Sequence, residues 1–248
     1  MEEQQPLPPA PSLGSAIMNV FSAPGDAFAN LDTAESKPLH WILPLIISIA
    51  AIIIMTIIGF SNQSLKSQRL EATRITLEQR VTQGKMTQEQ FDRTMEGMEK
   101  GGGIILAVSV VAITIMLCLF FFISALLLWL GSKFVLKLPV GYGKILELSG
   151  IATWISVLGI FLQMLMMIGL DSIYAQPNAA IFFYQNFDIT NSLHKTLAAL
   201  NIFSIWQTIV IGIGLQQWSK KSLLLPMIVS FAVWLLITGL TFWMGFGG

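Results

Sequence analysis

An all-α, polytopic membrane fold is what this 248-residue chain predicts, and three observations carry the prediction. Hydrophobic residues make up 54% of the chain and charged residues only 11%, against about 25% charged in soluble domains. Five apolar runs, at 41–60, 104–130, 148–170, 196–215 and 223–246, contain no Asp, Glu, Lys or Arg. A run of about 20 residues rising about 1.5 Å per residue covers the roughly 30 Å hydrocarbon core of a bilayer. A soluble core helix would keep a charged face, and these runs keep none. The expected architecture is therefore five transmembrane helices with an extramembrane helical hairpin between the first and second.

The same composition excludes several classes of function. A formal net charge of zero gives no electrostatic footprint for nucleic acid. Cys118 is the single cysteine and falls inside a run, so no internal disulfide forms and the redox compartment is not encoded. Glu2 and Glu3 stand where a signal peptide would be basic, and Pro6, Pro8, Pro9 and Pro11 interrupt any early apolar core. Run 41–60 is then expected to act as an uncleaved anchor. Asn62-Gln63-Ser64 matches a glycosylation sequon, a pattern frequent by chance.

Residues 1–11 read as a disordered Pro-rich tail. Residues 12–40 read as short interfacial helices, with a first piece capped by Ser12 and a second opened by Pro24, with Asp26 near its N-terminus. Leu13, Ile17, Val20, Phe21, Phe28 and Leu31 form their apolar faces. No basic residue precedes Lys37, so packing against the protein's own spans is favoured over independent binding to a lipid surface.

Residues 61–100 form the one sizeable extramembrane element. Leu70, Leu77 and Val81 recur at helical spacing before a stop at Gly84. Thr87 and Gln90 then make a capping box, with Met86 and Phe91 at the staple positions around it. Phe91, Met95 and Met98 follow on one face, while Glu89–Arg93 and Glu96–Lys100 are i,i+4 pairs. The hairpin should close at Gly101-Gly102-Gly103. Its stripes either pack against each other or, through Phe91, Met95 and Met98, form a surface for a partner.

An odd number of spans puts the termini on opposite sides. Lys37, Lys133, Lys137, Lys144, Lys220 and Lys221 gather on the N-terminal side, and the opposite short segments offer only Lys195. The positive-inside rule then places the N-terminus in the cytoplasm and the C-terminus outside, as in a bacterial inner membrane. Seven basic residues in the hairpin (Lys66, Arg69, Arg74, Arg80, Lys85, Arg93 and Lys100) oppose that orientation.

Enzyme constellations are thin. His40 and His194 flank runs without metal-ligand spacing, and no zinc-protease, nucleophile-elbow or phosphate-loop pattern occurs. Trp41 and Trp218 read as interfacial anchors. Glu147 lies one turn from Lys144 at the mouth of the third run and reads as a headgroup-level residue, with Asp171 just past the other end. No catalytic residue, metal ligand or cofactor is expected, and uncharged run centres weigh against a proton-coupled pump. Ser149, Ala152, Thr153 and Ser156 give small-residue spacing in the third run. Gln163, Asn201, Ser204 and Gln207 either bond helix to helix or line a polar groove for a solute or lipid headgroup.

Several local patterns together resemble the Yip domain family, the Ypt/Rab-interacting membrane proteins and their prokaryotic relatives. They are Val20-Phe21, Pro24, Ala27-Phe28 and Leu31, then Trp41, Pro44 and Leu45, and in the fourth run Leu200-Asn201-Ile202-Phe203-Ser204-Ile205-Trp206 running to Gly214-Leu215. The similarity spans most of residues 14–246. It implies a non-enzymatic multi-pass scaffold or adaptor that works with another membrane or peripheral protein, and is compatible with a homo-oligomer. Phe21, Pro24, Phe28, Trp41 and Pro44 would set the leading segment into the bundle, and Phe203 and Trp206 would pack the fourth helix against it. The chain lacks the Asp-Leu-Tyr-Gly-Pro motif of eukaryotic members and has no proline at Thr153-Trp154-Ile155, so the resemblance is to a prokaryotic-type member. The alternative function is facilitated movement of lipid or small solutes through the polar groove.

Overall fold

The computed structural model describes residues 9, 11–100 and 102–244. Nearly all of the predicted tail, together with Gly101 and Phe246, lies outside the described residues. Ser12 caps α1 (Leu13–Ser22), its Oγ accepting from the Ser15 amide at 3.2 Å. Pro24 opens α2 (Pro24–Ala27), where its missing N–H costs nothing. The long helix α3 (Leu39–Ser61) carries Pro44 in its second turn. Asn62 then caps α4 (Gln63–Thr82), accepting from the Ser64 and Leu65 amides at 2.8 and 3.2 Å. Gly84, at φ 68°, turns the chain toward α5 (Gln88–Lys100). The capping box closes there as expected: Thr87 Oγ1 accepts from the Gln90 amide at 3.2 Å and Gln90 Oε1 from the Thr87 amide at 3.0 Å.

Next come α6 (Gly102–Phe134) and α7 (Tyr142–Gly169). Helices α3, α6, α7 and α10 (Leu224–Trp243) are long and apolar enough to cross a membrane. The fold is all-α and polytopic. The fourth apolar run, expected as one span over 196–215, is instead divided into α8 (Ser192–Ala199) and α9 (Ile202–Ser219). Asn201 makes the break: its Oδ1 accepts from the Phe203 and Ser204 amides at 2.9 and 3.3 Å. Its backbone bridges to Asn178, and the Ile202 amide donates to Pro177. At 18 residues, with Gln207, Gln216 and Gln217, α9 falls short of the apolarity of the other four.

Helix α7 is the axis of the bundle, with α3, α6, α9 and α1 packed around it. It runs parallel to α3, since Glu147 meets His40 at one end and Asp171 meets Asn62 past the other. It runs antiparallel to α9, because Gly159 faces Phe203 while Leu148 and Gly214 pack around the same ring of Phe28. Gly150 sets the closest crossing. A Cβ there would lie 2.3 Å from Trp41 Cα and 2.6 Å from the His40 carbonyl, the group whose helical donor Pro44 removes.

The N-terminal pieces pack on the protein itself. Ala16, Val20, Ala27, Phe28 and Leu31 are fully buried, and Phe21 meets Trp206 edge to face at 5.8 Å. The hairpin docks more widely than on itself. Gln68 Nε2 donates to the Asp171 carbonyl at 2.7 Å, and Gln68 Oε1 accepts from the Ile173 amide at 3.0 Å. Arg69 tucks under Gly59 and over the Phe60 ring.

Candidate functional site

The first polar constellation gathers around Glu147. Glu147 and His40, expected at headgroup level, are buried at 0% and 1% exposure. Four groups from two stretches of the chain converge on this carboxylate. Ser36 Oγ donates to Oε1 at 2.5 Å, Lys144 Nζ lies 3.3 Å from Oε1, His40 Nδ1 lies 3.5 Å from Oε2, and the Lys37 backbone N–H also bonds to it. Ser36 belongs to the segment joining α2 to α3 and His40 to the first turn of α3, whereas Glu147 and Lys144 belong to α7. The cluster therefore fastens the start of the chain to the central helix. An isolated buried carboxylate is prohibitive, so these partners are a condition of its being there. Only the Lys144–Glu147 spacing was visible beforehand; Ser36 lies 111 residues away.

A second constellation lies between α7 and α9. Gln207 Nε2 donates to Thr153 Oγ1 at 3.3 Å, and the Ser156 hydroxyl donates to Gln207 Oε1. Thr153 in turn donates to the Ser149 carbonyl, and Ser204 Oγ accepts from Trp234 Nε1 of α10 at 3.3 Å. The four residues singled out for a polar groove thus have separate positions. Asn201 caps a helix, Ser204 faces α10, Gln207 faces α7, and half-buried Gln163 makes no hydrogen bond among the described residues.

The hairpin residues Phe91, Met95 and Met98 are each half-buried along one face of α5, of which no residue is fully buried. Trp41 and Trp218 both make contacts within the protein. Trp41 packs on Phe121 and Phe122, and buried Trp218 donates from Nε1 to the Phe28 carbonyl at 3.1 Å. Phe203 and Trp206 stack beside each other, with Phe203 seated over Gly159.

Outside the spans, three groups are electrostatically displaced. Burial lowers the pKa of the Arg69 guanidinium. Burial, reinforced by Glu71 and Asp188, raises that of the Tyr174 phenol. Hydrogen bonds from the Thr190 hydroxyl and amide, both at 2.7 Å, lower that of Asp188. His194 is occupied in the same loop, its Nδ1 accepting from the Asp188 amide and its ring stacked on Phe183.

A cleft of about 670 Å³ opens between α4, the 173–195 segment and the end of α10. Among the described residues no cluster of His, Cys, Asp and Glu is arranged to hold a metal ion.

The polar pattern is one of helix fastening, and the aromatic and small residues that flank it fall within a family match. The model described as the Yip1 domain matches residues 18–244. The chain belongs to the Yip1 domain family. That match covers the N-terminal wedge from Met18 onward, the hairpin and all four long apolar helices, so the family unit and the bundle coincide. No curated protein and no solved structure matches the chain.

Proposed function

We propose that this Yip1-family chain is a non-enzymatic scaffold or adaptor of the membrane, recruiting another membrane or peripheral protein through the hairpin face of Phe91, Met95 and Met98. The observation that carries this reading is the use to which the polar side chains are put. Thr153, Ser156 and Gln207 bond α7 to α9, Ser204 receives Trp234, and Asn201 caps a helix. Polar groups spent in this way hold helices together, each interhelical bond contributing about 0.6–2 kcal/mol. Membership of a family of multi-pass proteins supports the same reading.

In this reading α9 is the fifth crossing, supported by its antiparallel course beside α7. The N-terminus lies in the cytoplasm of a bacterial cell, supported by the lysines gathered at the α3, α7 and α10 starts, and a homo-oligomer is compatible with the exposed face of α6.

Reconstitution tests the proposal. Vesicles holding the full chain should move neither a fluorescent phospholipid nor a small solute faster than empty vesicles. A photocrosslinker at Phe91 or Met95 should capture one defined protein in cells. Flux that disappears in Gln207→Leu would overturn the scaffold and establish the facilitator.

A further inference from the structure

The cleft beside α4 has a composition that the scaffold role does not require. Arg80, Lys85 and Lys195 line it, and no acidic residue does. Among the described residues none of these three cations makes an ion pair or a side-chain hydrogen bond. Glu71 and Asp188 stand nearby, close enough to act on Tyr174, yet outside the lining. Arg74, nearly two turns from Arg80, is by contrast held by Glu71 and Glu78. The cleft thus concentrates positive charge that the fold leaves unanswered.

The remaining lining is mixed, with Thr73, Thr76, Gln79, Gln83 and Gln176 set among apolar side chains. Leu77, Ile173 and Ile189 line the interior, and Phe242 and Met244 close the side formed by the end of α10. Phe242 and the neighbouring Leu240 are partly exposed on a helix that is long and apolar enough to span a membrane, so the cleft opens onto a lipid-facing surface. The segment that supplies Ile189 and Lys195 also turns large apolar side chains outward. Phe182 is 88% exposed and Leu193 60% exposed. Such residues are stable at a bilayer boundary and costly in water.

We infer that this cleft is a binding site for one anionic phospholipid, with its phosphate among Arg80, Lys85 and Lys195 and its acyl chains leaving along Phe242 and Leu240. Charge and position decide the occupant. A zwitterionic headgroup would bring a fourth positive charge into a cleft that already holds three. A soluble phosphate would leave the apolar wall without a partner. Basic pockets at membrane depth select acidic headgroups in this way. Arginine contributes a planar fork matched to phosphate oxygens, and the two lysines contribute point charges. Nothing in this assignment depends on the scaffold role, since a resident lipid can sit on a scaffold or a facilitator alike.

Native mass spectrometry of the full chain in detergent tests it. Phosphatidylglycerol is titrated against phosphatidylcholine of the same acyl chains, and inorganic phosphate is added as a competitor. One phosphatidylglycerol should bind at least about tenfold more tightly than phosphatidylcholine, on the scale of the ~1 kcal/mol that each nearby cation contributes. That preference should vanish in R80Q/K85Q/K195Q and survive in K220Q/K221Q, which removes two lysines at the opposite end of the bundle. Thr76→Trp, which fills the cleft without changing charge, should lose the bound lipid as well. Millimolar phosphate should not displace it. Equal binding of the two lipids, equal loss in both charge variants, retention in Thr76→Trp, or displacement by phosphate would each overturn the assignment. Unchanged helical circular dichroism in every variant separates lost binding from lost fold.

Discussion

Helices α6 and α7 read alike as uncharged apolar runs, and the fold uses them in opposite ways. Helix α7 buries a face along nearly its whole length, from Ile145 through Gly159 to Met167. Helix α6 is longer, yet its buried residues are Ala125, Leu128 and Ser132, all near its C-terminal end. Ile104, Val108, Val111, Ile115 and Leu119 remain exposed on one stripe above them. What differs is side-chain size and polarity. Helix α7 carries Ser149, Gly150, Ala152, Thr153, Ser156 and Gly159, which admit Trp41, Phe203 and the polar side chain of Gln207. The corresponding stretch of α6, residues 109–119, is mostly Val, Ile, Leu and Met, with Ser109, Ala112 and Thr114 among them and no glycine. Lipid is as apolar as leucine, so bulk hydrophobicity gives helices no reason to meet; close approach and hydrogen bonds do.

This contrast can be broken most severely at Glu147. Glu147→Leu strands the Lys144 ammonium without its counter-charge and His40 without its partner, and breaking a buried pair from one side costs about 3–5 kcal/mol. The melting temperature in detergent should fall steeply, and His40→Leu added to it should recover part of the loss. Gly150→Ala comes next. Its new methyl meets the backbone of Trp41 and His40, which cannot swing aside, and overpacking of this kind costs about 1–3 kcal/mol. Thermal unfolding should report it, together with loss of a disulfide engineered across the α3–α7 crossing.

Gln207→Leu removes two bonds to α7 and should cost about 0.6–2 kcal/mol by the same melting measurement. Ile115→Ala on the open stripe of α6 sharpens the comparison by its smallness, with a change within about 0.5 kcal/mol. A large effect there would mean that α6 is covered by protein rather than lipid, and crosslinking of single cysteines on the stripe would identify a second copy.

Local rules were legible where the partners are close in the chain. The Ser12 cap, Pro24 at a helix start, the Thr87–Gln90 box and the Glu89–Arg93 and Glu96–Lys100 pairs all formed, because each depends on residues within one helical turn. The break in the fourth run was less legible. Asn201 sits among apolar neighbours, and its role as a cap depends on Pro177 and Asn178, more than twenty residues away. The burial of Glu147 within the protein was hidden for the same reason. Only Lys144 stands near it in the chain, and Ser36, just before α3, and His40, in its first turn, complete its partners. Size patterns were visible in the third run, yet their partners Trp41 and Phe203 were not.

The bond from Trp218 to the carbonyl of Phe28 joins residues 190 positions apart. Phe28 is among the first parts of the chain to be synthesised, and its binding surface on α9 is among the last. Throughout synthesis the wedge of Ala16, Val20, Phe28 and Leu31 has no finished cradle, although it carries some of the most apolar side chains outside the long helices. Its docking therefore comes at the end of assembly, after α7 and α9 are side by side. A chain interrupted before Gly214 would leave that wedge uncovered, and an uncovered apolar wedge is a natural mark by which quality control can tell an unfinished molecule from a complete one.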